Sequence, residues 1–597
     1  MAGISYWERI TKSRISRRRA LGAAAAVGAG AAALSVVGCG GGGDGGAGTT
    51  KVDPNAILYN WQLPDETKNA REGGTHVGPS SNDIQGGLDP TRSNSFTTLA
   101  VAGVAYEPLL YGNSGPGIDP ASPEGRKIIG ALAESYEVAA DASQFTLKMR
   151  PNVKFHPIAP VNGRVMDIDD WKVSYERALA SPLLGATLKD SIDSVQTPDT
   201  RTFVFKMKTP NVAFLRLLTV GSSSFYIVPK EIMQDERRFD TQTIGTNYRV
   251  LTSVQPSIGR EYVRHVDYWR GKPFIEKWSV PIIPEQANQR AQFVTGNSIA
   301  YTPPQTDVLQ LRKDYPKARM LKGDPAGSYR INFFGHREFE TSPWNDERVR
   351  IALRMGVDWK GMREVIGSLS DFAAAGIPVE SRMPTHVKAG GVGYPYWLNP
   401  EENKLGDLSK NFLFNVAEAK KLLSAAGFPN GFEIDGYMNG GTEYGTTVYP
   451  QVVQITIDQW ALNLNVRVKL NRPPYAEYLP KIYQQRDFKG ISIQHPEFTY
   501  AEIDQELFNW YHTRGQRYKW RSDPALDAMI EKQRVERDEE KRTAIIHDIQ
   551  KHMAKLFYTF PGDGVSGGFG FQQPWYRNTS SPAYREWIDD KNKPEYA

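Results

Sequence analysis

The chain contains a single cysteine, Cys39, in 597 residues. No intramolecular disulfide can form, and zinc or redox sites built from several cysteines are excluded, so the fold has to hold by packing alone. The position of that cysteine is as informative as its solitude. It closes a stretch that opens Ser16-Arg17-Arg18-Arg19-Ala20-Leu21, a twin-arginine pattern, continues through an Ala- and Gly-rich apolar run from Leu21 to Val37, and ends Val36-Val37-Gly38-Cys39, a lipobox. Small residues before the cut let the backbone lie extended in a peptidase cleft, and the thiol is the nucleophile that takes a diacylglyceryl group as a thioether. Cleavage before Cys39 frees an amine for a third acyl chain. Each buried CH2 contributes about 0.8 kcal/mol, so two or three chains hold a protein stably to a bilayer. The alternative is a membrane-spanning anchor with an incidental cysteine. Against it, the run is barely long enough to span, and a glycine-rich tether, Gly40 to Thr50, follows. The expectation is a signal peptide over 1–38 and a lipidated Cys39 with a flexible linker over 39–56.

Six of the 72 basic residues and one of the 67 acidic residues lie within 1–38, leaving 66 of each in the remaining 559 residues. The basicity therefore belongs to the targeting segment, and nucleic acid is not indicated as a partner. A chain of that length exceeds what one hydrophobic core supports, so two or three domains are expected. The 13 Trp and 28 Tyr suit a cleft that grips a ligand by stacking, and suit large cores equally.

Local patterns then divide the chain. Phe145, Leu147 and Met149 alternate with polar neighbours as a half-buried strand requires, and Thr202 to Met207 repeats the pattern. Asp169 reads as the cap of a helix through Trp171, while Asp167, Asp169 and Asp170 lack the glycine and distal Glu of a calcium loop. Tyr226 to Lys230 reads as a strand end. Asn415, with Glu418 three residues on and Gly427 beyond, brackets a helix, and Asp523-Pro524 starts another. Val453, Ile457, Trp460, Ala461 and Leu464 form an apolar stripe that feeds the strand Val466 to Leu470, a helix-then-strand alternation typical of α/β construction. His547 and His552 are too far apart to share a helix face, and His552 reads as a core histidine. No His-Glu-x-x-His string, nucleophile elbow or phosphate loop occurs, so no metal, cofactor or catalytic residue is expected.

Several strings follow one another in a recognisable order: Gly73-Gly74-Thr75, Leu88-Asp89-Pro90, Tyr106-Glu107-Pro108-Leu109-Leu110, Leu132-Ala133-Glu134-Ser135-Tyr136, the Phe145 to His156 block, Tyr268-Trp269-Arg270-Gly271-Lys272-Pro273, and Asp346-Glu347-Arg348-Val349-Arg350-Ile351-Ala352-Leu353. On these strings, over roughly Gly73 to Phe571, the chain resembles the dipeptide/oligopeptide-type (family 5) extracytoplasmic solute-binding proteins of ABC importers. The resemblance implies an α/β, two-lobe periplasmic-binding-protein-like fold with an additional α+β domain inserted in the first lobe. Lobe I would comprise 57–100, 224–325 and 557–597, the inserted domain 101–223, and lobe II 326–556. It further implies a monomeric receptor without enzymatic activity, tethered outside the cytoplasm through Cys39, in the periplasm or on the outer face of the cell membrane. Such a receptor closes on a small solute, a peptide or another polar molecule, and delivers it to the permease subunits of an ABC transporter.

Departures from the family pattern bear on the ligand. Gly245-Thr246-Asn247-Tyr248 replaces the usual Gly-Thr-Gly-Pro-Tyr, and His265 stands where Asn is common. Peptide binders of the family carry an Asp-Tyr pair after a Trp in lobe II, the Asp taking the peptide ammonium. The corresponding stretch here runs Ile491 to Tyr500 without that Trp, and Glu497-Phe498 is its nearest acid-aromatic pair. Charge-assisted hydrogen bonds of this kind contribute roughly 1.5–3 kcal/mol each, a large part of a micromolar affinity. The resemblance places Ser93, Asn94, Ser95 and Phe96 on the first-lobe side of the cleft, and Glu497, Phe498, Tyr500, Asp504, Trp510 and Trp520 on the second, with lobe packing as the alternative for Trp510. A secreted lipoprotein hydrolase acting on peptides or glycans is the rival reading, and it requires paired carboxylates, or a nucleophile and base, converging in one cleft.

Overall fold

The computed structural model describes Trp7 and residues 57–84, 87–93, 95–219, 225–323, 330–377, 379–390, 393–440, 448–496, 502–515, 522–562, 568–589, 591 and 593. Cys39 and the twin-arginine stretch lie outside the described residues, as do Asn94, Glu497, Phe498, Tyr500 and Trp520; Phe96 is described by its backbone only. Among the described residues, no helix is long and apolar enough to cross a membrane.

The second lobe is built on a five-stranded mixed sheet in the order Arg467–Asn471, Glu433–Tyr437, Ile491–Pro496, Arg330–Phe334, Thr559–Pro561. Glu433–Tyr437 is parallel to Arg467–Asn471, a pairing that needs a crossover, and the helix Val448–Leu464 supplies it. The stripe that included Val453, Trp460 and Leu464 is buried against one face of the sheet beside Ile491, Ile493 and Phe334. Ile331 and Phe333 point the other way, into a cluster with Tyr483, Trp510 and Ile549. Arg330–Phe334 is covered on both faces and places apolar side chains on each, Phe334 on one and Ile331 and Phe333 on the other.

The first lobe carries two four-stranded sheets. One orders Leu58–Tyr59, Arg319–Lys322, Phe569–Gln572, Ala300–Tyr301, and the other orders Thr75–Val77, Lys277–Pro281, Gly259–Arg264, Arg249–Gln255. The inserted unit is an antiparallel sheet, Ala133–Val138, Gln144–Met149, Thr202–Met207, Ile192–Asp199, whose Phe145, Leu147, Phe203 and Phe205 are fully buried around Trp171.

Two of the strings that carry the resemblance, around Asp89 and Glu107, gain a physical reason from how this unit is fixed. The Glu107 carboxylate is buried and accepts hydrogen bonds from Thr246 Oγ1 (2.7 Å), Tyr268 OH (3.0 Å), Trp269 Nε1 (3.0 Å) and Tyr111 OH (3.2 Å). Burial pushes its carboxyl up, and these donors pull it back. Asp89 accepts from Thr91 N (2.9 Å) and Thr91 Oγ1 (2.7 Å) and pairs with the buried Arg177 of the inserted unit. The departures at Asn247 and His265 also interlock. The Asn247 side-chain amide donates to Gly103 O and Tyr106 O, and the Asn247 backbone carbonyl meets His156 Nε2 at 2.9 Å and His265 Nδ1 at 3.3 Å.

Two crossings join the lobes, one after Arg319–Lys322 and one after Thr559–Pro561. They pair at both ends: Gly323 N donates to Gly568 O and Gly562 N to Arg330 O, each at 2.8 Å. Glycine is required at 562, where a Cβ would fall 2.2 Å from Gln494 Oε1 and 2.8 Å from Arg330 Cβ.

Several local expectations hold and two change. Asn415 Oδ1 accepts from Glu418 N at the start of Val416–Ala425, and Asp523 Oδ1 accepts from Leu526 N at the start of Pro524–Val535. The cap of Ile168–Ala180 is Asp167, not Asp169. Asp167 has the extended backbone a cap needs, and Asp170, three residues on, accepts its N–H at 2.9 Å in a reciprocal box. Tyr226 to Lys230 is not a regular strand: Tyr226 makes one bridge, to Pro108, which has no N–H to give, the Val228 N–H donates to Ser174 Oγ at 2.9 Å, and a 3-10 turn starts at Lys230.

Candidate functional site

In open α/β sheets ligands bind beyond the carboxyl ends of the strands. On the second lobe that edge is where Glu433–Tyr437 and Ile491–Pro496 end and Arg330–Phe334 begins, next to both crossings. Ile491–Pro496 is distorted there. Its pairing with Arg330–Phe334 slips between Ile331 and Phe333, and Gln494 adopts a left-handed backbone, φ 55°. Such an irregularity re-aims the next side chain. Gln494 is secured by Asn332 Oδ1, which accepts its N–H at 2.9 Å, and by its own Nε2 donating to Thr456 Oγ1 at 3.2 Å.

His495 follows. Its Nδ1 lies 2.7 Å from Tyr478 OH, which lies 2.7 Å from Ser492 Oγ, and its ring stacks on Tyr483 at 4.2 Å between centroids. The end of this strand thus rests on a buried, hydrogen-bonded base. Arg330 completes this edge, its guanidinium over the Tyr449 ring at 5.4 Å. Sequence reasoning did not single out Arg330, Tyr449, Gln494 or His495. The available signal was polarity in a central strand: Ser492, Gln494 and His495 interrupt what should be an apolar run, and each therefore needs a dedicated partner.

The helix Ile503–Tyr511 is buried along its whole length, acids included. Each acid near its start faces a cation from a different element: Glu502 meets Arg542, Asp504 meets Arg534 at 3.1 Å, and Glu506 meets Lys388 at 3.5 Å. Burial pushes the Glu506 carboxyl up, against the pull of Lys388. Asp504 also accepts from Gln533 Nε2, so its carboxylate is already engaged within the protein rather than presented to a solute. Trp510 takes its packing alternative. It is 1% exposed, edge-on to Phe333 at 5.7 Å, with the Arg486 guanidinium 4.7 Å over its ring.

On the first-lobe side, Ser95 caps the helix Phe96–Ala105 by accepting from Thr98 N at 3.1 Å. Ser93 Oγ accepts from Ser95 N and Thr98 Oγ1, so the loop is held by its own hydroxyls. Elsewhere, His552 Nε2 lies 2.8 Å from Asp523 Oδ2 and the side chain remains a quarter exposed, so it is a hydrogen-bonded histidine at the rim of the core rather than within it. Among the described residues, no group of three or more His, Cys, Asp or Glu side chains is placed to hold a metal ion. The three acids at the start of the helix Ile503–Tyr511 are thus each matched by a cation from another element rather than by one another.

A family model described as bacterial extracellular solute-binding proteins, family 5 Middle, matches residues 127–517. Among curated relatives, heme-binding protein A of Haemophilus influenzae is 22% identical over 404 residues, spanning 64% of this chain and 66% of that protein. Di/tripeptide-binding protein 2 of Pseudomonas aeruginosa is 25% identical over 507 residues, spanning 78% of this chain and 85% of that protein. Among solved structures, the ABC transporter-associated periplasmic binding protein DppA from Helicobacter pylori, in complex with the peptide STSA, superposes with a TM-score of 0.69 at 18% identity, covering 88% of this chain and 99% of that one.

Proposed function

The chain belongs to the bacterial extracellular solute-binding proteins, family 5, a family of binding proteins rather than enzymes, and from that premise we propose that it is a receptor that captures a peptide or a related polar solute between its lobes and delivers it to an ABC importer. The observation that carries this reading is the pair of glycine-ended crossings joining two separately cored lobes beside a polar-lined sheet edge. Peptide is the leading solute class because the di/tripeptide-binding relative and the peptide-bound neighbour are similar over most of the chain. Contacts to the solute come from Ser93, Asn94 and Phe96 on one side and from Glu497, Phe498, Tyr500 and Trp520 on the other. Ser95, Asp504 and Trp510 position these segments through the partners already described. The boundaries set out above for lobe I, the inserted domain and lobe II belong to this reading, with the crossings at 323–330 and 562–568. Lipid at Cys39, after twin-arginine export, tethers the monomeric receptor outside the cytoplasm near its permease. The hydrolase alternative lacks support, because Glu502, Asp504 and Glu506 each have a cation partner instead of one another.

The test is to purify the full chain without added ligand, unfold it, and identify released small molecules by mass spectrometry. A stoichiometric peptide is expected. A neutral sugar would keep the receptor and remove Glu497 as ammonium anchor; an empty protein that no member of a broad solute library stabilises against heat would overturn the receptor itself.

A further inference from the structure

The second lobe meets the rest of the molecule on two sides, and the two contacts differ in kind. On one side the helix Leu369–Ala374 inserts Phe372 into an apolar cluster of the first lobe, stacked on Phe569 at 5.1 Å, with Ile377 buried beside it. On the other side the second lobe touches the inserted unit through polar groups. Asp190, in the helix Gly185–Ser191, receives Arg514 Nη1 at 2.6 Å and Arg534 Nη1 at 3.5 Å. Val212 N donates to Arg534 O at 2.9 Å, and Arg126 pairs with Glu539 at 2.9 Å. Among the described residues, no apolar cluster spans this second contact.

Separating an apolar contact exposes surface that water does not compensate, whereas water and salt readily replace the partly exposed Asp190–Arg514 and Arg126–Glu539 pairs, and the buried Arg534 keeps Asp504 as a partner when Asp190 leaves. From this asymmetry we infer that the lobes part at the Asp190 side, that Asp190 with Arg514 and Arg534 is the clasp that closes the mouth of the cleft, and that the Phe372 side stays together as the pivot. The inference rests on the receptor reading for its purpose and on the contacts alone for its geometry. Arg534 is pre-set for the clasp from behind by Asp504, which holds the guanidinium whether or not Asp190 is present. Asp504 is thus a positioning residue for closure. Because a competent state that is only fractionally populated weakens apparent affinity by that fraction, the clasp sets how much closure the solute itself must drive.

The experiment needs no ligand. In the full chain with Cys39→Ser, cysteine pairs carrying spin labels are introduced at 126 and 539 across the clasp, or at 306 and 371 across the pivot, where Thr306 and Asp371 are exposed. Asp190→Asn is expected to raise the population of long 126–539 distances about three- to fivefold, to leave the 306–371 distribution unchanged, and to abolish the widening that 1 M NaCl produces in the parent. Asp190→Glu should restore the parent distribution. An unchanged 126–539 distribution in Asp190→Asn, or widening at 306–371 instead, would overturn the inference. Absence of any co-purified solute would bear on the receptor reading and leave these distances as they are.

Discussion

Individual carboxylates in this protein are governed by what burial leaves them to pair with. Glu107 is fully buried and surrounded by neutral donors, Asp504 by Arg534 and Gln533, and Glu586 by the Tyr576 hydroxyl with Arg249 nearby. Glu586 is the most consequential for pH, since burial pushes its carboxyl up to about 7 while Tyr576 and Arg249 only partly oppose this. A folded-state value raised above the unfolded one favours the protonated acid in the native state. Its contribution is therefore full below about pH 4.5 and is lost as pH rises through about 7. Stability should fall across that window by at most about 3 kcal/mol, less to the extent that water reaches the half-buried side chain. Glu586→Gln should flatten this segment of a stability–pH profile measured by chemical denaturation; an identical slope in the variant would rule the residue out. That a carboxylate is acidic is legible from the sequence. Whether it meets a solute, a cation or a hydroxyl is not, and Asp504 shows this, because its partners Gln533 and Arg534 lie about thirty residues away on another helix.

Helices and strands were legible in proportion to how local their determinants are. Asn415 and Asp523 cap helices through backbone N–H groups three residues on, so a short string suffices. The Asp167 cap was missed by two residues because three aspartates compete within one turn and only the backbone conformation selects among them. The irregular end of Ile491–Pro496 depends on Asn332 and Thr456, neither of which is a sequence neighbour. Gly562 belongs to this scale as well, because it lets one crossing pass close to Arg330 and Gln494. Gly562→Ala should cost about 1–3 kcal/mol through forced displacement of the Arg330 backbone pairing. The measurement is the denaturation midpoint of the variant against the parent, and an unchanged midpoint would mean that the crossing yields without strain.

At the scale of the whole molecule, the proposed tether is separable from the fold. Cys39→Ser should move the protein from the membrane fraction to the soluble fraction of fractionated cells, since lipidation needs the thiol; a variant still retained by the membrane would disprove the anchor at Cys39. The sequence by itself determined the broad class, because cysteine count, helix and strand periodicities and family strings are each written in contiguous residues. The tertiary structure alone decided which of the candidate site residues are committed to partners inside the protein. It placed Ser95 in a cap, Trp510 in a core and Asp504 behind Arg534. It alone also divided the lobe contacts into an apolar side and a polar one. The physical reason is common to both results: burial and charge pairing are set by groups brought together from distant parts of the chain, and local sequence does not encode that distance.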